Sequence, residues 1–346
     1  MEAKVKPSKF TPTWHHRPRA EMSFFEKSLI DLGVLQDQAG SKAPPIHPID
    51  APVPVVSPWH QHFWVLKRAT PPLLINLLFV AATGINVPRA VAGVLYTMYF
   101  IFYGSCIFTS LSRTVKQFGV FDGAHPRDGI PDKDTRHVAI ELAMVVVLRA
   151  VVAFTFIYPD DQTALINWKN VFCLPVSLFA HAVTLDFFFY WYHRLMHEVP
   201  WLWQFHRKHH TTKHPSAAHG AYADHEQEFF DILGIPFLTY TALYFTPLRL
   251  DFASWWMCIS YTLFIEAGGH SGIRAYLSNP MTYYPLQPLG LELVLEDHDL
   301  HHRRGWRKSS NYGKQTRLWD WMFGTIGERI ECSQANIDWS AKVQMQ

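Results

Sequence analysis

The chain has 346 residues, of which 15% are aromatic and only 17% are charged, with a formal net charge of +2; an average soluble protein carries roughly 25% charged residues. The small net charge and the absence of a long Lys/Arg block exclude a phosphate-tracking nucleic-acid surface. Cys106, Cys173, Cys258 and Cys332 lie far apart with no CxxC spacing, which excludes a zinc ribbon or a disulfide framework.

Taken in chain order, residues 1–65 mix Pro, His and charged residues without the apolar core of a cleavable signal peptide, and are expected to be a peripheral or partly disordered segment. Apolar stretches follow at 71–86, 89–109, 138–158, 170–192, 232–247 and 252–269. The third and fourth reach the roughly 20 residues a bilayer requires, and the others are shorter or interrupted. Gly84 and Pro88 predict a hairpin between the first two stretches, and the turn at 246–251 predicts another between the last two. Arg113, Lys116, Arg127, Lys133 and Arg136 crowd the 110–137 segment, whereas the 159–169 loop holds Asp160 and Asp161. The positive-inside rule then puts the first loop in the cytosol and the second in the lumen. The expected architecture is an all-α integral membrane protein with about four transmembrane helices and a re-entrant or short hairpin. A cytosolic helical cap would hold a histidine-rich di-metal site. The expected division is a membrane domain at 66–330 and a C-terminal tail at 331–346. The alternative is a large soluble helical bundle.

Twenty histidines are unusual, and their spacing matters more than their number. His193 and His197 form HxxxH at the end of the fourth apolar stretch, one helical turn apart on one face. His206, His209 and His210 form HxxHH shortly after, and His298, His301 and His302 repeat that pattern. At this histidine content an HxxHH arises by chance only about 0.07 times per chain, so two copies carry weight. His270, in GGHSG, stands at the exit of the last apolar stretch. Neutral imidazole suits iron, copper, nickel and zinc, and nine candidate ligands exceed one four-coordinate site. Two metals fit the number better. The Glu-x-x-His pairs of soluble di-iron bundles are missing, so a carboxylate-rich site is not expected.

In membrane context, the ordered set HxxxH, HxxHH and HxxHH resembles the fatty acid hydroxylase superfamily, also called the sterol desaturase family. The resemblance runs from about 140 to 328 and includes SSNYGKQTRLWDWMFGT at 309–325, similar to the ending of many members. It implies that His193, His197, His206, His209, His210, His270, His298, His301 and His302 are ligands of two iron ions and form the catalytic centre. HGAYADHEQE is similar to a polar stretch of the family, with His225 in the customary position of a further ligand or supporting group. Where some members carry a histidine four residues before the GHSG one, this chain has Glu266, which could ligate, hold a water or cap a helix. Asp186 is expected to orient a ligand histidine or to be a cavity-facing structural carboxylate. Asn311, Tyr312, Trp319 and Asp320 resemble family landmarks that either pack beneath or support the metal site. Arg149 reads as a paired or snorkelling cation in its span, and His214 and His219 as loop residues.

The expected function is oxygenation of a lipid-like fatty acyl, sphingoid or sterol-type substrate, because aliphatic C–H oxidation needs a dioxygen-activating metal. Hydroxylation is preferred, with a sterol C5-desaturase-type reaction as the runner-up. A membrane zinc or copper binding protein or transporter is the alternative from another class. No Gly-rich nucleotide fingerprint or fused heme motif is visible, so electrons would come from an external donor. The resemblance implies cytochrome b5 with its NAD(P)H-dependent reductase, at the cytosolic face of the endoplasmic reticulum membrane.

Overall fold

The structure is a computed structural model that describes residue 10 and residues 12–34, 43–163, 165–306 and 309–345. Thirteen α-helices and two short strands follow one another among these residues: α1 Phe24–Asp31, β1 Val53–Val56, α2 Pro58–Ala69, α3 Pro71–Thr83, α4 Arg89–Phe118, α5 Thr135–Phe156, α6 Trp168–Glu198, α7 Pro200–His206, α8 His225–Phe229, α9 Ile235–Tyr244, α10 Phe252–Ser271, α11 Tyr283–Leu286, α12 Leu295–Arg304, α13 Leu318–Met322 and β2 Ile337–Val343.

Among the described residues three helices are long and apolar enough to cross a membrane: α4, α5 with the turn before it, and α6. The α2–α3 pair, bent by 42° at Thr70, makes a fourth if it counts as one span. Apolar side chains such as Leu78, Val94, Met98, Val151 and Phe172 point outward from these helices, as lipid-facing residues do. The turn between α3 and α4 falls at Gly84, in the left-handed conformation, and Pro88, which immediately precedes α4. One expectation is corrected here. The 89–109 stretch is not short: α4 runs on through Arg113 and Lys116 to Phe118, because long basic side chains are good helix formers and are tolerated at the wet end of a span.

The length of α6 explains how a lipid-soluble chain holds polar chemistry. Its 31 residues rise about 46 Å, whereas the hydrocarbon core is about 30 Å thick. The excess carries His193 and His197 beyond the apolar part of the helix. Asn167 caps the start by accepting from the Asn170 backbone N–H. Helix α10 packs beside α6 and is buried along almost its whole length, and its last turn brings His270 to the same level. Gly272 ends α10 at φ +64°, where a Cβ would run into the Arg127 guanidinium that closes over the turn. Arg127 donates to Asp299 of α12 at 2.5 Å, which ties the segment before α5 to the helix bearing the last histidines.

Described segments near both ends of the chain join this body. Trp14, fully buried, donates from Nε1 to the Ile130 carbonyl, and α1 packs on α5. Strand β1 pairs in parallel with β2 across nearly the whole chain length. Arg274, 1% exposed, reaches Glu331 at 2.7 Å. The four cysteines are free.

Candidate metal centre

The two HxxHH motifs lie against each other. His210 Nε2 and His301 Nε2 are 3.1 Å apart, and the His210 and His302 rings stack with centroids 4.8 Å apart. All nine histidines are buried and fall into two contiguous groups. The first holds His193, His197, His206, His210 and His301; the second holds His209, His270, His298 and His302. Helical geometry does the sorting: His209 and His210, like His301 and His302, are chain neighbours that point to different groups.

In the first group the Nδ1 atoms of four of the five rings face hydrogen-bond acceptors, His210 being the exception. His193 Nδ1 lies 2.8 Å from the Tyr312 carbonyl, His301 Nδ1 2.8 Å from that of Ser310, and His197 Nδ1 3.4 Å from that of Trp306. His206 Nδ1 lies 2.8 Å from Gln227 Oε1, whose amide nitrogen is turned toward the Asp231 carboxylate. A carbonyl only accepts, so each of these rings carries its proton on Nδ1 and a lone pair on Nε2. Those Nε2 atoms converge with that of His210, whose own Nδ1 has no acceptor. His193 to His206 and His206 to His210 are 3.0 Å, and His197 to His210 is 3.1 Å. Lone pairs facing one another at such separations repel unless a cation lies among them, so this donor set fits a metal ion.

The second group repeats the pattern with fewer fixed rings. His298 Nε2 is 3.0 Å from His270 Nε2, which is 3.3 Å from His209 Nε2. His270 Nδ1 donates to the Glu266 carbonyl and His302 Nδ1 to that of Thr212, while His302 Nε2 is a buried atom without a partner. Burial, reinforced by neighbouring imidazoles, holds His209, His210, His298, His301 and His302 well below their ordinary value. Burial does the same to His206, with His197 adding to it and the Gln227 bond opposing it. The rings are therefore neutral near pH 7, the form that ligates. Neither group contains a carboxylate.

The polar frame behind the rings includes the other expected residues. Asp186, fully buried on α6, accepts from the backbone N–H groups of Lys314, Gln315 and Thr316 and from the Thr316 hydroxyl. It contacts none of the nine histidines by hydrogen bond; it fixes the loop whose Tyr312 carbonyl receives His193. Asp320 holds the same loop through the N–H groups of Tyr312 and Gly313. Asn311, at φ +58°, bridges the Asp297 carbonyl of α12 and the Gly327 N–H. Trp319 donates from Nε1 to the Val183 carbonyl. Trp306 stacks on Trp203 at 5.1 Å and with it covers His197, which keeps water from that side.

His225 and Glu266 stand apart from both groups. The His225 ring is exposed and meets Glu141, beside His137. The Glu266 carboxylate faces Arg149 at 3.5 Å. His214 stacks on His125, both against Asp122, and His219 is buried against Ser216. Gln227 and the carbonyls of Ser310, Tyr312 and Trp306 were not singled out by spacing; the Gln227 side chain alone had a signal available, three residues after Asp224 in the polar stretch containing His225.

Beneath the second group a cavity of about 100 Å³ opens between α5, α6, α9 and α10, reached among the nine by His270. Leu185, Phe189, Ile232, Trp255 and Ile259 give it an apolar wall.

The comparisons agree with this geometry. A family model for fatty acid hydroxylases matches residues 178–325. The fatty acid hydroxylase vlmA of Lecanicillium sp. is 38% identical over 317 residues, covering 87% of this chain and 86% of that protein. Methylsterol monooxygenase 2-1 of Arabidopsis thaliana is 31% identical over 50% of this chain and 62% of its own length. The very-long-chain aldehyde decarbonylase GL1-8 of Oryza sativa subsp. indica is 33% identical over 55% and 64%. No solved structure matches the chain. With this similarity over most of both chains, and with nine histidines buried in two contiguous groups, the chain belongs to the fatty acid hydroxylase family of oxidoreductases.

Proposed function

We propose that the protein is a membrane di-iron oxygenase that hydroxylates a lipid-like chain, with His193, His197, His206, His210 and His301 holding one iron and His209, His270, His298 and His302 the other. The observation that carries this reading is the pair of contiguous imidazole groups, one of which reaches a mostly apolar cavity through His270. Iron, when bound there, would supply the dioxygen chemistry that an unactivated C–H bond requires and that no side chain provides. The protein's own part is positioning. Carbonyls and Gln227 aim the lone pairs, the Trp203–Trp306 stack excludes water, and the cavity wall fixes which substrate carbon lies beside His270.

Residues 66–330 form the catalytic domain in this reading, and the C-terminal segment from 331 supports it. Cytochrome b5 and its NAD(P)H-dependent reductase would deliver two electrons at the cytosolic face of the endoplasmic reticulum membrane. Similarity to proteins named for fatty acid, methylsterol and very-long-chain aldehyde chemistry supports a long apolar substrate. Metal groups at helix ends, outside the middle of the spans, favour oxygenation over metal transport.

Lipid profiling of cells with and without the gene tests this directly. A hydroxylated species is expected to vanish in its absence and to stay absent when His301→Ala is supplied. An alkene in place of an alcohol would shift the assignment to desaturation, and an unchanged profile would remove it.

A further inference from the structure

The cavity beneath His270 has a mostly apolar wall with polar side chains at several levels. On α10, Thr262, Glu266 and His270 line it at four-residue intervals, which places Glu266 about 6 Å and Thr262 about 12 Å below His270 along the axis. Arg149 of α5 and His181 of α6 line the same space. Arg149 is buried and meets Glu266 through Nη2 alone, leaving Nε and Nη1 without a hydrogen-bond partner. Thr262 Oγ1 and His181 Nδ1 are likewise buried and unpartnered. Such atoms in an apolar, lipid-embedded cavity are costly unless something bound there meets them.

Charge decides what that something is. Arg149 and Lys314 line the cavity as cations, against the carboxylates of Glu228, Asp231 and Glu266. An incoming carboxylate would find unused N–H donors but no unused positive charge, and it would face Glu266 at close range. A neutral oxygen uses the donors and adds no charge to a low-dielectric space. Resting on the reading of this cavity as the substrate site, we propose that the free Arg149 donors bind a neutral carbonyl or hydroxyl oxygen of the substrate. The preferred substrate is then an acyl ester, thioester or amide, or a long-chain alcohol, rather than a free fatty acid. The anchored oxygen limits which carbons reach His270, and Arg149 acts as a specificity-determining residue.

Binding to the metal-loaded, full-length protein, without reductant or oxygen, tests this apart from turnover. Methyl palmitate, hexadecanol, palmitate and hexadecane are compared by native mass spectrometry at pH 8. The ester or the alcohol is expected to bind at least about tenfold tighter than both hexadecane and palmitate, and whichever of the two is tighter names the oxygen. Arg149→Met with Glu266→Met, which removes both charges, should abolish that preference and leave hexadecane binding unchanged. If this double variant does not fold, Arg149→Leu with Glu266→Gln, which also removes both charges and the unpartnered Nε and Nη1 donors, carries the same test, and a retained preference in it overturns the proposal. Equal wild-type binding of ester and hexadecane, or tightest binding of palmitate, also overturns it while leaving the cavity as a lipid site. Binding of none of the four overturns both the anchor and the reading of the cavity itself.

Discussion

The two histidine groups share a chemistry but differ in how firmly their rings are held. In the first, four of five rings have Nδ1 tied to an acceptor, His210 being the exception. In the second, only His270 and His302 of the four are tied, and the Nδ1 atoms of His209 and His298 are buried without partners. A ring whose proton is fixed by a carbonyl presents its lone pair in one direction. A ring without that bond can turn about its side-chain torsions. The first group is therefore a preorganised site, covered by the Trp203–Trp306 stack, and the second an adjustable site that faces the cavity.

Removing a ligand should expose this difference most strongly. His206→Ala takes one of the convergent Nε2 atoms from the first group and is expected to abolish activity and empty that site, whereas His298→Ala should empty the second and spare the first. Metal content per chain, measured beside product formation, checks both.

Acid is the next largest perturbation. The folded chain keeps His206, His209, His210, His298, His301 and His302 neutral well below the ordinary value of 6.5. As pH falls through 6.5 the unfolded chain takes up protons that the folded chain refuses, so stability declines on the acid side and is unaffected above it. Each such histidine removes on the order of 1 kcal/mol between pH 7 and pH 6. Thermal unfolding and metal retention followed from pH 8 to pH 5.5 should fall together, with the adjustable site emptying first.

Gln227→Leu removes the acceptor for His206 Nδ1 and is expected to weaken metal binding in the first group by about 10- to 100-fold. Chelator competition should show little change in the second group. Ser309→Ala should do least, about twofold, because His301 Nδ1 keeps the Ser310 carbonyl when the Ser309 hydroxyl at 2.9 Å is lost. A larger effect from Ser309 than from Gln227 would break the ranking by ring fixation.

The clustering of the histidines was legible because residues at helical spacings share a face, and the nine named from spacing and resemblance lie buried in two contiguous groups. The apolar stretches and their turns at Gly84 and 246–251 were legible for the same reason: lipid imposes composition and length. What holds the rings was not. Three of the four acceptors in the first group are backbone carbonyls, which every residue possesses. The pairing of Arg149 with Glu266 joins helices far apart in sequence, and each residue alone reads as an isolated charge. The strand at 53–56 is four residues long and finds its partner at 337–343; so brief a run carries no periodicity from which a sheet could be read.

Mössbauer spectroscopy of the wild-type protein loaded with iron-57 under anaerobic conditions tests the central claim most directly. The account predicts two iron ions per chain in two inequivalent sites of equal population, the five-histidine and the four-histidine environments. A single site with one iron per chain, or a protein that fills with zinc and takes up no iron, would contradict it.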